Sequence, residues 1–331
     1  MVQIYTILDE VDFMNNNELL VSVVFPTYNH EKFIEQAINS ILKQKVNFNY
    51  EVLIGEDAST DKTSDVLKNM EKYLPQNFHI FYRKKNLGMI GNFYDLIERA
   101  KGKYIINLEG DDYWIYDLKL QKQVDFLETH PEYIAIAHNT LVVDKFGRPR
   151  TDFIYPECKK DEYTLTDFLN FILMGQTTTI LYRNFYKTHI FEDIKLKMNY
   201  PGDQKLNFLL ACHGKIKVIQ EKWSAYRYIN DEGTSFSATS KFDREMPKKD
   251  LIFLKTLMNY AFNNVKNEEA KKVIETKYLY VAQHHLRNRI IDYKMTTWIQ
   301  EFMNSRYKIY FIKFMSLRIF KKVLRIIKNF N

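Results

Sequence analysis

Continuous apolar runs alternate with helically spaced ones through the first third of the chain. Leu20-Val21-Ser22-Val23-Val24-Phe25 reads as a buried strand that Pro26 stops. Residues 30–44 follow with Phe33, Ala37, Ile38, Ile41 and Leu42 on one helical face. Strands are expected at 51–55, 78–82 and 103–108, and helices at 61–73 and 91–100. Strand–helix alternation with strands apolar on both faces predicts an α/β domain built on a mainly parallel sheet flanked by helices. Ligands of such sheets bind beyond the carboxyl ends of the strands. The chemistry is therefore expected in the loops after Phe25, Gly55, Tyr82 and Leu108.

From residue 133 to about 228 the pattern is less regular. Short strands are expected at 134–143, 177–182 and 216–219, with a helix near 203–212. A polar stretch, Asp231-Glu232-Gly233-Thr234-Ser235, precedes a helix-rich segment. The boundary falls near residue 240, giving an α/β domain at 1–240 and a helical region at 241–331. With 331 residues, 46% of them hydrophobic, the chain has ample material for a core, which excludes a disordered protein. Cys158 and Cys212 are too few for a disulfide framework or a four-ligand zinc site. Reduced thiols, no apolar run of about 18 residues and an acidic start (Asp9, Glu10, Asp12) without the look of a signal peptide suggest the cytoplasm.

Three polar clusters stand at predicted strand ends: Pro26-Thr27-Tyr28-Asn29, Glu56-Asp57-Ala58-Ser59-Thr60-Asp61 and Glu109-Gly110-Asp111-Asp112-Tyr113-Trp114. In an extended backbone Glu109 and Asp111, two apart, point the same way. Two oxygen ligands aimed at one spot suit a hard divalent cation that keeps waters and holds a diphosphate. No glycine-rich phosphate loop follows the first strand and no G-x-G-x-x-G occurs. This disfavours a sugar-nucleotide pyrophosphorylase and a dehydrogenase.

Val23-Val24-Phe25-Pro26-Thr27-Tyr28-Asn29, Ile54-Gly55-Glu56-Asp57-Ala58-Ser59-Thr60-Asp61, Asn86-Leu87-Gly88, and Gly102-Lys103-Tyr104-Ile105 with Glu109-Gly110-Asp111-Asp112 resemble the inverting glycosyltransferases of family 2, with the GT-A fold. The resemblance covers about residues 18–230. It implies a mixed sheet flanked by helices and a helical C-terminal extension. It implies transfer of a hexosyl or N-acetylhexosaminyl group from a nucleotide diphosphate sugar, by default a uridine one. The acceptor is a hydroxyl of a growing, lipid-linked surface glycan such as capsule, exopolysaccharide or lipopolysaccharide. Pro26, Thr27, Tyr28 and Asn29 then line the nucleotide pocket, and Asp57 accepts the uracil N3–H, or else caps the following helix. Arg83 approaches the base or is a plain surface arginine. Asp111 and Asp112 ligate Mn2+ or Mg2+, while Glu109 departs from the strict Asp-X-Asp pattern and contacts donor sugar or metal waters. Tyr113 and Trp114 form a sugar-pocket wall or pack in the core. Asp203, in Tyr200-Pro201-Gly202-Asp203-Gln204, is the base, with a helix N-cap as its bland counterpart. His213 reads as a helix-end residue. Arg227 is the phosphate partner or a strand-edge arginine, the loop at 230–237 closes over the diphosphate, and His138 with Gln176-Thr177-Thr178 faces the acceptor. The alternative to an enzyme is an inactive nucleotide- or glycan-binding scaffold of the same fold.

The net charge of +7 belongs to the end of the chain. Residues 304–331 hold eight Lys or Arg and no acid, and the remainder holds 40 basic against 41 acidic residues. On a helical wheel of about 100° per residue, Arg318, Lys321, Lys322, Arg325 and Lys328 share one arc and apolar residues fill the rest. That pattern fits an anionic membrane surface at the inner face of the cell membrane. It equally fits packing on the chain's own domain or on a second subunit of a homo-oligomer. No nucleic-acid motif accompanies the charge.

Overall fold

The computed structural model describes residues 18–187, 202–229, 246–288 and 293–330. The chain divides into two compact units, Met1–Lys241 and Phe242–Asn331. In the first, β1 (Leu19–Thr27), α1 (Ile34–Leu42), β2 (Asn49–Glu56), α2 (Thr63–Glu71), β3 (Phe78–Tyr82), α3 (Gly88–Arg99) and β4 (Tyr104–Asn107) alternate as expected. Next come β5 (Tyr113–Trp114), α4 (Lys119–Thr129), β6 (Tyr133–Val143), β7 (Glu162–Tyr163), α5 (Leu165–Leu169), β8 (Leu181–Arg183), α6 (Gly202–His213) and β9 (Lys215–Arg227). The strands form one sheet in the order β3-β2-β1-β4-β8-β6-β9-β5, with β7 on β9. The β3-β2-β1-β4 part is parallel, β8 runs antiparallel to β4 and β6, and β6 pairs parallel with β9. This is the mixed α/β sheet that the resemblance implies.

The parallel strands are apolar along their length because helices cover both faces. Val21, Val23, Phe25, Val52, Ile54, Tyr104 and Ile106 are buried in one cluster with Ile34, Ala37, Ile38 and Ile41 of α1. β1 does not stop at Pro26: Pro26 pairs with Gly55 and Thr27 with Glu56. Val24 O accepts from Leu108 N, so by alternation the missing Pro26 N–H also faces β4, where the ladder has already ended at Asn107. The strand expected at 177–182 begins only at Leu181. Ahead of it, Gln176 Oε1 accepts from Thr178 N at 2.7 Å and folds Thr177–Thr179 into a 3₁₀ turn. The strand expected at 216–219 continues through the polar Gln220-Glu221-Lys222 to Arg227, with register shifts against His138, Asn139 and Thr140 of β6.

The second unit holds α7 (Met246–Asn264), α8 (Glu268–Arg287), α9 (Met295–Asn304) and α10 (Lys308–Phe330). Asn267 caps α8 by accepting from Glu269 N at 3.0 Å, and acids in the first turn with His284, His285 and Arg287 in the last suit the helix dipole. Glu275 of α8 accepts from Ser305 Oγ at 2.7 Å and Tyr307 N at 2.8 Å, so a buried carboxylate meets the N-terminus of α10. Among the described residues no helix is long and apolar enough to cross a membrane.

The amino end of the parallel sheet is tied by a buried polar link. Ser22 Oγ donates to Glu51 at 2.6 Å and accepts from Gly102 N at 2.8 Å, while Lys101 N donates to the same Glu51 oxygen. A Cβ on Gly102 would lie 2.5 Å from Ser22 N and 2.7 Å from Val21 C. Backbone cannot yield as a side-chain tip does. Gly102→Ala is therefore expected to cost about 1–3 kcal/mol by overpacking, read as a lower thermal midpoint with the far-ultraviolet spectrum retained.

Candidate active site

Four loops meet at the carboxyl ends of the parallel strands; hydrogen bonds tie the first three together and the fourth packs against the first. Asn29, at φ 56°, accepts from Thr60 N at 2.8 Å and donates to Thr60 Oγ1 at 3.1 Å, joining the loops after β1 and β2. A short polar side chain tolerates the left-handed conformation that this turn requires. Asp57 N donates to Thr27 O at 3.0 Å, and the Asp57 carboxylate accepts from Leu87 N at 2.7 Å, adding the loop after β3. The loop after β4 lies against the first: a Cβ on Gly110 would stand 2.5 Å from Thr27 Oγ1 and 2.6 Å from His30 Nδ1. The middle position of Glu109-Gly110-Asp111 is a glycine because nothing larger fits beneath it.

Ligand atoms of Glu109, Asp111 and Asp112 lie within 4.8 Å of one another. They differ in what else holds them. Both Asp112 oxygens accept bonds inside the protein, from Arg227 N at 2.8 Å and Gln176 Nε2 at 2.9 Å. The Asp111 carboxylate has His30 Nε2 at 3.9 Å, and His30 Nδ1 in turn lies 3.1 Å from Thr27 Oγ1. Loss of water, then the charges of Asp111 and Asp203, push the Glu109 carboxyl up to about 8. Burial and the Asp111 charge raise Asp112 well above the carboxylate range. Asp203, in the first turn of α6, is raised mainly by desolvation. Its Oδ1 accepts from Gln204 N at 2.6 Å, and Asn207 Nδ2 donates to its carbonyl at 2.6 Å. Asp203 thus lies inside the first turn of α6 rather than at the N-cap its alternative reading expected, and beside Glu109.

The remaining expected residues divide by what occupies them. Asp57 is buried, and burial raises its carboxyl against the opposing Leu87 and Gly88 N–H groups and the Arg83 charge. Arg83 is no plain surface residue: it pairs with Asp95 at 2.5 Å and donates to Asn92 at 3.3 Å. Pro26 and Thr27 end β1 at the crevice, and Tyr28 is half-buried in the loop beyond. Arg227 departs from the expected free phosphate partner. Its guanidinium is buried and donates to Asp111 O at 2.9 Å, Gln36 Oε1 at 2.8 Å and the carbonyls of Asp144 and Lys145 at 3.2 Å. It also stacks 4.5 Å from the Phe33 ring. Those bonds fix the acidic loop from behind.

Trp114 packs in the core, donating from Nε1 to Thr178 O at 3.2 Å. His138 is fully buried and bonds Asn139 O at 2.8 Å, so it does not face an acceptor; it was a core histidine in a half-polar strand. Gln176 and Thr178 are buried supports of Asp112, whereas Thr177 reaches Glu109 at 3.5 Å. His213 ends α6, and Cys158 and Cys212 are buried free thiols. Pro201 and the loop at 230–237 lie outside the described residues. Sequence reasoning missed His30 and Tyr155. Asp203, Glu109 and Asp112 all act electrostatically on Tyr155, which packs edge-on to Tyr226 at 5.6 Å. His30 could have been found as the residue four positions beyond Pro26; nothing in its own segment marks Tyr155.

A mixed sheet with an acidic crevice at the ends of its parallel strands is the arrangement of the GT-A fold. The family model described as Glycosyl transferase family 2 matches residues 22–190, half of the chain, and the chain belongs to that family. Curated relatives at 34% identity are matched over 62% of this chain and 58% of theirs, so the chain spans little more than half of their length. A Bacillus subtilis protein provisionally named teichuronic acid biosynthesis glycosyltransferase TuaG is 32% identical over 51% of this chain and 65% of its own. Among solved structures, S. aureus TarS 1-349 with UDP-GlcNAc superposes with a TM-score of 0.59 at 18% identity, over 86% of this chain and 80% of that one. A Pyrobaculum calidifontis mannosyltransferase with GDP-Man and Mn2+ superposes with a TM-score of 0.52 at 14% identity, over 91% and 80%. At these identities the likeness is one of fold.

Three carboxylate groups whose ligand atoms lie within 4.8 Å of one another are hard oxygen donors of the kind a divalent cation takes. Burial raises the Glu109 carboxyl, which must give up its proton to meet a cation. Its raised carboxyl contributes stability that is present below the ordinary carboxylate range and lost as pH rises through about 8. Thermal stabilisation by Mn2+ is therefore expected to grow from pH 6.5 to 8.5; a shift that is flat or shrinks over that range would contradict the assignment. Replacing the Asp112 support is expected to act on both fold and ion. Gln176→Leu leaves a buried carboxylate oxygen unpaired, a cost of about 1–3 kcal/mol. It should lower the thermal midpoint and weaken Mn2+ binding in the same titration.

Proposed function

We propose that this glycosyltransferase moves a hexosyl or N-acetylhexosaminyl group, with inversion, from a uridine diphosphate sugar to a hydroxyl of a growing, lipid-linked cell-surface glycan. The observation that carries the reading is the convergence of Glu109, Asp111 and Asp112 within 4.8 Å beside Asp203, at the ends of the parallel strands. The solved UDP-GlcNAc complex of the same fold supports the donor class, and the teichuronic acid name of one relative supports a surface glycan.

In this reading Asp57 sits at the base of the nucleotide pocket, with Pro26, Thr27, Tyr28 and Asn29 as its wall. Arg83 acts on Asp57 through its charge rather than by touching the base. Asp111 is the principal ligand of Mn2+ or Mg2+, with Glu109 and Asp112 completing the acidic set. The ion supplies charge stabilisation at the diphosphate leaving group. Arg227 and Gln176 hold the acidic loop in place, and four acids in one crevice favour a donor whose negative charge arrives already neutralised.

Asp203 takes the proton of the acceptor hydroxyl as its oxygen attacks C1. The bond from C1 to the diphosphate oxygen breaks, and the electron pair leaves with the nucleoside diphosphate. A base is most effective when its pKa approaches the working pH, and desolvation moves Asp203 in that direction. Tyr155, packed edge-on to Tyr226, stands beside the same carboxylates.

The test is Asp203→Asn in a transfer assay with a panel of uridine diphosphate sugars and lipid-linked acceptors. Transfer should fall by about 100-fold or more while uridine diphosphate binding stays within about twofold. Unchanged biological activity in cells carrying Asp203→Asn would favour the non-catalytic scaffold instead.

A further inference from the structure

The helix α10 presents apolar residues on two opposite faces, and among the described residues only one of them is covered. Phe311 is buried, and Arg318 lies 4.6 Å over the Tyr280 ring of α8 and 5.3 Å over Phe314. Arg318 therefore belongs to the packed face and not to a solvent-facing basic arc, which corrects the wheel drawn from sequence. At about 100° per residue, Ile309, Ile312, Leu317, Ile319 and Phe320 occupy an arc of about 160° centred opposite Phe311 and Arg318. They are 51–68% exposed: Ile312 at 51% and Ile309 at 68% mark the limits. In sequence the same spacing continues through Val323, Ile327 and Phe330. The preceding helix α9 has no buried residue and carries its own exposed stripe, Met295, Ile299 and Met303. Isolated exposed apolar residues are ordinary, but a row of five along one helix face marks an interaction surface.

We infer that this face of α10 docks the protein on an anionic membrane surface, with the helix lying in the plane of the interface. Charge selects this occupant. Residues 304–331 carry eight Lys or Arg and no acid; Lys313 is exposed within the apolar arc, and on the wheel drawn from sequence Lys308, Lys321 and Lys328 fall at its borders. A second copy joined symmetrically through the same face would bring two unneutralised cationic helices together. Anionic headgroups neutralise them while the apolar arc enters the acyl boundary, and long lysine side chains reach back to the headgroups. Among the described residues no helix is long and apolar enough to span the bilayer, and the contact proposed for α10 is peripheral. The inference goes beyond the transfer reaction and does not depend on which sugar is moved.

The test is co-sedimentation of the full chain with phosphatidylcholine vesicles, with and without about 30% phosphatidylglycerol. Two variants accompany it: Ile309→Gln/Ile312→Gln/Phe320→Gln and Lys313→Glu/Lys328→Glu. The wild type should partition onto the anionic vesicles alone. Each variant should reduce partitioning by about tenfold or more, with an unchanged circular dichroism spectrum and thermal midpoint. Stabilisation by uridine diphosphate should be the same in all three proteins, which separates this inference from the donor reading. Absence of wild-type binding to anionic vesicles, or equal binding by the triple variant, would overturn it. So would a solution dimer that the triple variant dissociates in a protein without vesicle affinity.

Discussion

Glu109, Asp111 and Asp112 repel one another within 4.8 Å, with Asp203 close enough to add to the strain. Holding like charges together in a partly dry crevice costs free energy, and the rest of the domain is arranged to meet that cost. In the free protein the raised Glu109 and Asp112 carboxyls hold protons more readily than ordinary carboxylates, which eases it. A bound cation would reduce it further. The fold supplies rigidity where the charges alone would spread the loop apart.

That rigidity comes from groups remote in sequence. Arg227, at the end of β9, reaches Asp111 O, the Asp144–Lys145 turn and Gln36 of α1, so three separate segments close on the acidic loop. Gln176 holds Asp112 with its amide nitrogen and the 3₁₀ turn with its amide oxygen. Gly110 lets the loop rest on Thr27 and His30. The site is pre-set by backbone and amide bonds whose donors are neutral or already shared, which leaves Asp111 facing the crevice. This is the arrangement expected where a cation and a diphosphate must enter together.

Much of the fold was legible because its signals are local. Apolar runs such as Val21–Phe25 and Tyr104–Ile106 announce two-sided burial, and polar clusters immediately after them announce the crevice. The reading failed where tertiary partners override local preference. Pro26 stays in β1 because its missing donor faces a ladder that has ended. Thr177–Thr179 looks like a strand from its β-branched residues, yet one side-chain bond from Gln176 curls it. Arg227 and His138 illustrate the limit for the site. An arginine near a phosphate motif and a histidine in a half-polar strand carry no local mark of being buried. Their partners, Gln36 and Asp111 for one and the Asn139 carbonyl for the other, are assigned only by the folded sheet.

The central claim is that the acidic crevice binds a nucleoside diphosphate together with a divalent cation held by Asp111. Calorimetric titration of uridine diphosphate into the full chain, with Mn2+ and with chelator, tests it most directly. The account predicts binding that requires Mn2+ and weakens about tenfold or more in Asp111→Asn. Equal affinity in chelator, or an Asp111→Asn protein that binds as the wild type does, would contradict it.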